Sequence, residues 1–252
     1  PGNFKIKKAN IRGIDSFGMV CSERELNITD EHEGIMVLPD GLKIGENFMT
    51  SYGYKFSSIE IDITPNRPDA FSHYGVARDL ATYKNNPLKP LKIKNAKGKN
   101  LEEITISIEN QEDCPRYIAG VVNNIIVGPS PAWMVERLKA SGLRSINNVV
   151  DISNYVLLEI GHPTHIFDSK KIKNKEILVR RAKKNEKLQT LDGNKYELTI
   201  ENLVIANSND PIALAGVIGG MKSSVTLDTK SILIESAYFD PITIRKSSKV
   251  LS

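Results

Sequence analysis

Residues 145–168, SINNVVDISNYVLLEIGHPTHIFD, constrain the fold more than any other stretch, because a helix-spaced apolar face runs into a loop that cannot continue as helix. Val149, Ile152, Val156 and Leu157 recur at helical spacing and predict a face packed on a core, while Asn147, Asp151 and Asn154 form a separate polar row. Gly161 ends the helix. Pro163 has no backbone donor and disfavours helical geometry at His162, so Thr164 and His165 leave on a rigid extended segment. A polar stripe followed at once by a histidine held in place predicts the wall of a pocket.

Further along, residues 203–206 are a short apolar run, 207–211 a turn and 212–217 a return strand. Gly219 and Gly220 follow. Consecutive glycines permit positive backbone torsions and close approach of another molecule to the main chain; a tight turn alone and a turn that contacts a ligand both fit. Residues 232–239 read as a strand whose alternation sets Glu235 on the same face as Leu233 and Ala237. A carboxylate there needs solvent or a donor, and a phenol hydroxyl is such a donor.

With 252 residues, 40% of them hydrophobic, the chain can bury a sizeable core and divide into more than one domain. It has no apolar run of membrane-spanning length and no secretory signal, so it reads as soluble. Cys21 and Cys114 are too few for a disulfide framework and lack metal-ligand spacing, which fits a reducing cytoplasm. The net charge of +4 permits nucleic-acid binding without arguing for it. His162 and His165 with Glu235 are a conceivable zinc set, but Pro163 spoils the helix that would align the two histidines. Pro1 is no natural initiator, and the opening strands read as a domain entered halfway, so the chain has the look of a piece.

Residues 4–45 have the strand-and-turn rhythm of an all-β segment. Ile59, Ile61 and Ile63 alternate as in a half-buried strand. In the TPNRPDAFSHYGVARDLATY run that follows, Asp69 or Ser72 caps a helix with Tyr74, Ala77, Leu80 and Ala81 on one face. Arg67, His73 and Arg78 there suit a structural network better than a phosphate site. The Pro- and Lys-rich residues 87–100 read as a solvated linker. Beyond it, ITISIEN is a strand, 130–141 a helix with Pro131 in its first turn and Gly142 closing it, Trp133 and Met134 core residues, and Asp192-Gly193 a hairpin turn. Mixed elements with mostly antiparallel strands predict an α+β domain.

ITPNRPDAFSHYGVARDL, INNVVDISNYVLLEIGHPTHIFD, LDG, ALAGVIGG and ESAYFDP, in that order, resemble the bacterial phenylalanyl-tRNA synthetase beta subunit family over nearly the whole chain. The resemblance implies an α+β multidomain fragment. Residues 1–48 would be the C-terminal part of an OB-fold tRNA-binding domain, 49–88 a small α/β connecting domain, 89–100 a linker, and 101–252 a B3/B4 editing domain short of its usual end. An OB barrel needs about five strands, so its latter half cannot close alone.

That resemblance also implies a function. A pocket built for phenylalanine rejects tyrosine only about a hundredfold, so a second, hydrolytic site clears tyrosyl-tRNA(Phe). Glu235 matches the family residue that reads the tyrosine hydroxyl; substrate lacking that hydroxyl forfeits about 2–3 kcal/mol at a buried carboxylate. His165 and Asn154 match catalytic positions. Ser153 (threonine in many relatives), Ala215, Gly216, Gly219 and Gly220 match positions that line the substrate pocket. No nucleophile–base pair is evident, which points to direct attack by water. His165 as its base would give a titration near neutral pH that His165→Ala abolishes, and water held by backbone groups and the tRNA ribose is the open alternative. The resemblance implies tRNA(Phe) and a synthetase alpha subunit as partners, and no cofactor in this fragment, since the ATP and magnesium of the whole enzyme belong to aminoacylation in the alpha subunit. The competing reading is a non-catalytic tRNA-binding or structural module.

Overall fold

The computed structural model describes residues 6–26, 28, 32–38, 40–52, 58–93, 98 and 104–249. It is mixed α+β, and its contacts divide it into two compact units, residues 1–56 and 57–252. Among the described residues of the first unit, β1 (Ala9–Ile11) and β2 (Ile14–Ser16) form an antiparallel hairpin, and α1 (Phe48–Ser51) is a single turn capped by Asn47. Arg12 and Gly13 take positive φ at the hairpin tip, which matches the twist of the flanking strands.

In the second unit the strand expected from Ile59, Ile61 and Ile63 does not form. Ile59 is 84% exposed and residues 58–64 pair with no other described strand, because alternation without a partner leaves the ladder unmade. Helix α2 (His73–Tyr83) follows, with Ser72 Oγ accepting from the Gly75 N–H at 3.0 Å. Arg67 donates to both Asp69 and Asp79, so it belongs to a structural network as its spacing suggested. Gly75 has no room for a side chain: a Cβ there would lie 1.7 Å from the Asp69 carbonyl oxygen.

Two sheets face each other across the main core. The larger has strand order β11 (Ile218–Gly219), β10 (Asp210–Leu214), β9 (Leu203–Asn207), β6 (Glu176–Arg181) and β3 (Thr105–Ile108), with β3 parallel to β6 and the other pairs antiparallel. The smaller sheet is antiparallel, with β12 (Ser231–Tyr238) between β4 (Arg116–Asn123) and β5 (His165–Asp168). Tyr117, Phe167 and Leu233 from the smaller sheet meet Val179, Ile205 and Ala213 from the larger. A hairpin of β7 (Glu186–Gln189) and β8 (Lys195–Leu198) adds a second core, in which Leu188 and Leu198 pack with Val204 and Leu214.

Helices α3 (Ala132–Ala140) and α4 (Asn148–Ile160) form the outer layer. Val149 of α4 packs with Ile232, Ile234 and Ile166 on the face of the smaller sheet that points away from the main core. Asn147 caps α4 through Oδ1, and Gly161 ends it in the left-handed conformation at φ 80°. The expected division of its faces is partly reversed. Asp151, placed on the polar row, is fully buried, whereas Ile152 is half exposed. Burial pushes the Asp151 carboxyl up, but hydrogen bonds from Ser130 Oγ, Ser145 Oγ and the Ile146 N–H outweigh it and hold the group below the usual carboxylate range. Trp133 is likewise no core residue: half exposed, it meets the Tyr155 ring edge-on with Arg137 over its face, while Met134 is buried as expected.

Helix α5 (Pro241–Lys249) has no counterpart in the sequence expectations. Asp240 Oδ2 caps it by accepting from the Thr243 N–H at 2.7 Å. Thr243 and Ser247 are buried on its inner face.

Candidate functional site

The site grows out of strand alternation. On β12, Leu233, Glu235 and Ala237 point toward the main core, and Ile232, Ile234 and Ser236 away from it. Glu235 lies opposite Ala119 of β4 on one side and His165 of β5 on the other. It is only 7% exposed, so its charge needs a donor. That donor is Tyr117, two residues from Ala119 and on the same face, whose hydroxyl donates to Glu235 Oε2 at 2.7 Å.

Burial pushes the Glu235 carboxyl up to about 7, against the opposing effect of the Tyr117 hydrogen bond. Burial and the adjacent carboxylate push the Tyr117 phenol far upward, so it remains a protonated donor. Burial also pushes His165 down to about 4. Burial thus favours the neutral imidazole at pH 7, because the charged form is too poorly solvated. Glu235 is the group of the pair that titrates near neutrality.

Three elements hold His165. As the first residue of an edge strand it stands at the rim of the smaller sheet. Its ring meets Phe167 edge-on at 4.5 Å between centroids. On its other side is the main chain of Gly219, where a Cβ would fall 2.3 Å from His165 Cε1 and 2.6 Å from Nε2. Glycine at 219 is thus what allows the imidazole to lie there. Gly220 has a different reason: its N–H donates to the Ile212 carbonyl at 2.7 Å, and a Cβ would lie 2.4 Å from that oxygen. Neither glycine supplies the positive torsion that the pair suggested. Gly216 does, at φ 66°, beside the buried Ala215 and against Ile244 of α5.

His165, Glu235 and Gly219 thus come together between the sheets, with Ala215 and Gly216 at the adjoining turn. Ser153 and Asn154 lie on α4, the layer on the opposite face of the smaller sheet. Ser153 Oγ bonds the Thr164 carbonyl and hydroxyl, each at 2.8 Å, and so fixes the residue before His165. His162 Nε2 lies 2.8 Å from Ser236 Oγ, on the face away from Glu235. The zinc set therefore does not converge, and among the described residues no group of three His, Cys, Asp or Glu side chains is arranged to hold a metal. Two open grooves are present among the described residues: one of about 490 Å³ between α2 and residues 86–91, and one of about 520 Å³ beside the β7–β8 hairpin, lined in part by Gly220. Sequence reasoning missed Tyr117, for the strand pattern around it carries no sign of a partner 118 positions away.

The sequence matches a family of known proteins. Residues 113–252 match the B3/4 domain. Over its full length the chain is 45% identical to a protein from Desulfotalea psychrophila named phenylalanine–tRNA ligase beta subunit, covering 31% of that protein. It is 46% identical to the one from Geobacter sulfurreducens, covering 32% of it. The chain thus spans about a third of the length of the curated relatives it matches. A crystal structure of an N-terminal fragment of the phenylalanyl-tRNA synthetase beta-subunit from Pyrococcus horikoshii aligns at a TM-score of 0.40 and 21% identity, covering 74% of this chain and 56% of that one, too slight a likeness to argue from.

Proposed function

We propose, from the premise that this chain belongs to the B3/4 domain family, that it is the proofreading part of a phenylalanine–tRNA ligase beta subunit and hydrolyses tyrosyl-tRNA(Phe). The observation that carries this reading is the pairing of buried Glu235 with half-buried His165, cross-strand neighbours between two sheets. Glu235 reads the hydroxyl that separates tyrosine from phenylalanine. In an enclosed site such a carboxylate rewards the donor and leaves the analogue without it poorly bound. Neutral His165 presents an acceptor nitrogen that orients the attacking water or a ribose hydroxyl of the terminal adenosine. Ser153 positions it through Thr164, and the Gly219 main chain closes the space around it. Asn154 lies on the other face of the smaller sheet and takes no part in this pair. In this reading the partners are tRNA(Phe) and the synthetase alpha subunit.

One observation favours the competing reading of a structural or tRNA-binding module. Glu235 already has a donor in Tyr117, as a buried structural pair would. Deacylation separates the two. In the complete alpha–beta enzyme, Glu235→Ala is expected to abolish preferential clearance of tyrosyl-tRNA(Phe) over phenylalanyl-tRNA(Phe), a loss of about thirtyfold or more, and to leave aminoacylation intact. Equal clearance of both substrates by the unsubstituted enzyme would assign the chain to the structural reading.

A further inference from the structure

The Tyr117–Glu235 contact has a use beyond satisfying a buried charge. We propose that Tyr117 is a positioning residue for hydroxyl recognition: its phenol pins Oε2 of Glu235, so that the carboxylate is held in one orientation and Oε1 takes the hydroxyl of the substrate's side chain. This rests on the reading of Glu235 as the hydroxyl sensor.

Three observations carry it. A carboxylate can accept about four hydrogen bonds, and among the described residues Tyr117 provides the only hydrogen bond to Glu235, through Oε2 alone. Tyr117 is 8% exposed and part of the main core with Phe167 and Leu233, so its ring stays in place when a ligand arrives. Its strand also fixes the reach: Tyr117 lies opposite Ala237, the next residue on the inner face of β12 after Glu235. A phenol held in the wall and a phenol on the ligand would then share one carboxylate, an oxygen each.

The titratable groups around Glu235 are few. Tyr117 and Cys114 stand on the β4 side and His165 on β5, while the larger sheet contributes apolar side chains to the same core. Of these, Tyr117 is the group whose hydrogen bond lowers the Glu235 pKa against burial. Removing its hydroxyl should therefore raise the pH at which Glu235 gains its proton.

The test uses the complete alpha–beta enzyme with Tyr117→Phe, which deletes one oxygen and keeps the ring. Tyrosyl-tRNA(Phe) hydrolysis is expected to fall about tenfold, the size of one hydrogen bond to a charged group, with phenylalanyl-tRNA(Phe) hydrolysis unchanged. The acid limb of the tyrosyl-tRNA profile should move to higher pH, a readout that loss of packing alone would not shift. Replacing Tyr117 by 3,5-difluorotyrosine keeps the shape and strengthens the donor, so the same limb should move to lower pH; this second variant holds the test open should the phenylalanine form fold poorly. Unchanged or faster tyrosyl-tRNA hydrolysis in Tyr117→Phe, or a limb that neither variant moves, overturns the assignment. If Glu235→Ala is defective while Tyr117→Phe is not, the positioning role alone fails. If Glu235→Ala discriminates normally, the sensor reading fails and takes this one with it.

Discussion

Glu235 and His165 put opposite pH dependences into one site. The folded pKa of Glu235 is about 7 against 4.5 for an ordinary glutamate. Between those values the folded protein holds a proton that the unfolded chain has released, and stability falls as pH rises. His165, at about 4 against 6.5, does the reverse: the unfolded chain holds the extra proton, and stability rises with pH through that window. Each contribution is on the order of 3 kcal/mol, and where the windows overlap they largely cancel. Glu235→Gln removes one of them and keeps an acceptor for Tyr117. Its stability is expected to rise with pH between about 4 and 6.5, and to exceed that of the unsubstituted protein at pH 8 by about 2–3 kcal/mol. Urea denaturation at pH 5 and pH 8 checks both; parallel curves for the two proteins would show that burial does not set these protonation states. The face carrying Glu235 was legible from period-two alternation, and so was its need for a donor. Which donor meets it was not, because Tyr117 reaches it across strands that the sequence does not pair.

At the scale of elements, capping and turn chemistry were the legible part. Gly161 and Pro163 after α4, Pro131 before α3 and Asp192-Gly193 between β7 and β8 each fix a local conformation, and each marks the boundary it predicted. Strand partners were less legible, as the unpaired Ile59–Ile61–Ile63 run shows, since alternation states which residues share a face but not what lies beside them. The polar row of α4 failed for a related reason. Helical periodicity separates polar from apolar faces, yet it cannot say whether a polar face meets water or the hydroxyls of another loop. Asp151 meets Ser130, Ser145 and the Ile146 N–H, and so ties the start of α4 to the lead-in of α3. Asp151→Ala would strand those donors in a closed space, at a cost of about 2–4 kcal/mol. Thermal unfolding of the variant checks this, and a change below about 0.5 kcal/mol, the range of an ordinary surface substitution, would contradict the anchoring role.

Across the second unit, the site depends on chain segments far apart in sequence. Its sensor strand β12 pairs with β4 and β5, so residues 231–238 complete a sheet begun by residues 116–123. The larger sheet supplies the opposite wall, and α5 secures the end of that wall nearest the Ala215–Gly216 turn. Ile244 covers Gly216, and Arg181 joins Asp113 to Thr243. Ser247 Oγ accepts from the buried Leu203 N–H at 3.2 Å. A helix that the strand pattern did not predict is therefore fastened to the wall through backbone as well as side chains. Ser247→Ala leaves the Leu203 donor buried without that acceptor, a loss of about 1–3 kcal/mol. Because the damage falls on one edge of the wall, amide exchange at Leu203 should quicken before exchange at Leu233 in the centre of the smaller sheet. Hydrogen exchange resolved by residue would show this order. Equal acceleration at both amides would mean that α5 and the two sheets open as one unit, and that the Gly216 turn cannot loosen without unfolding the site.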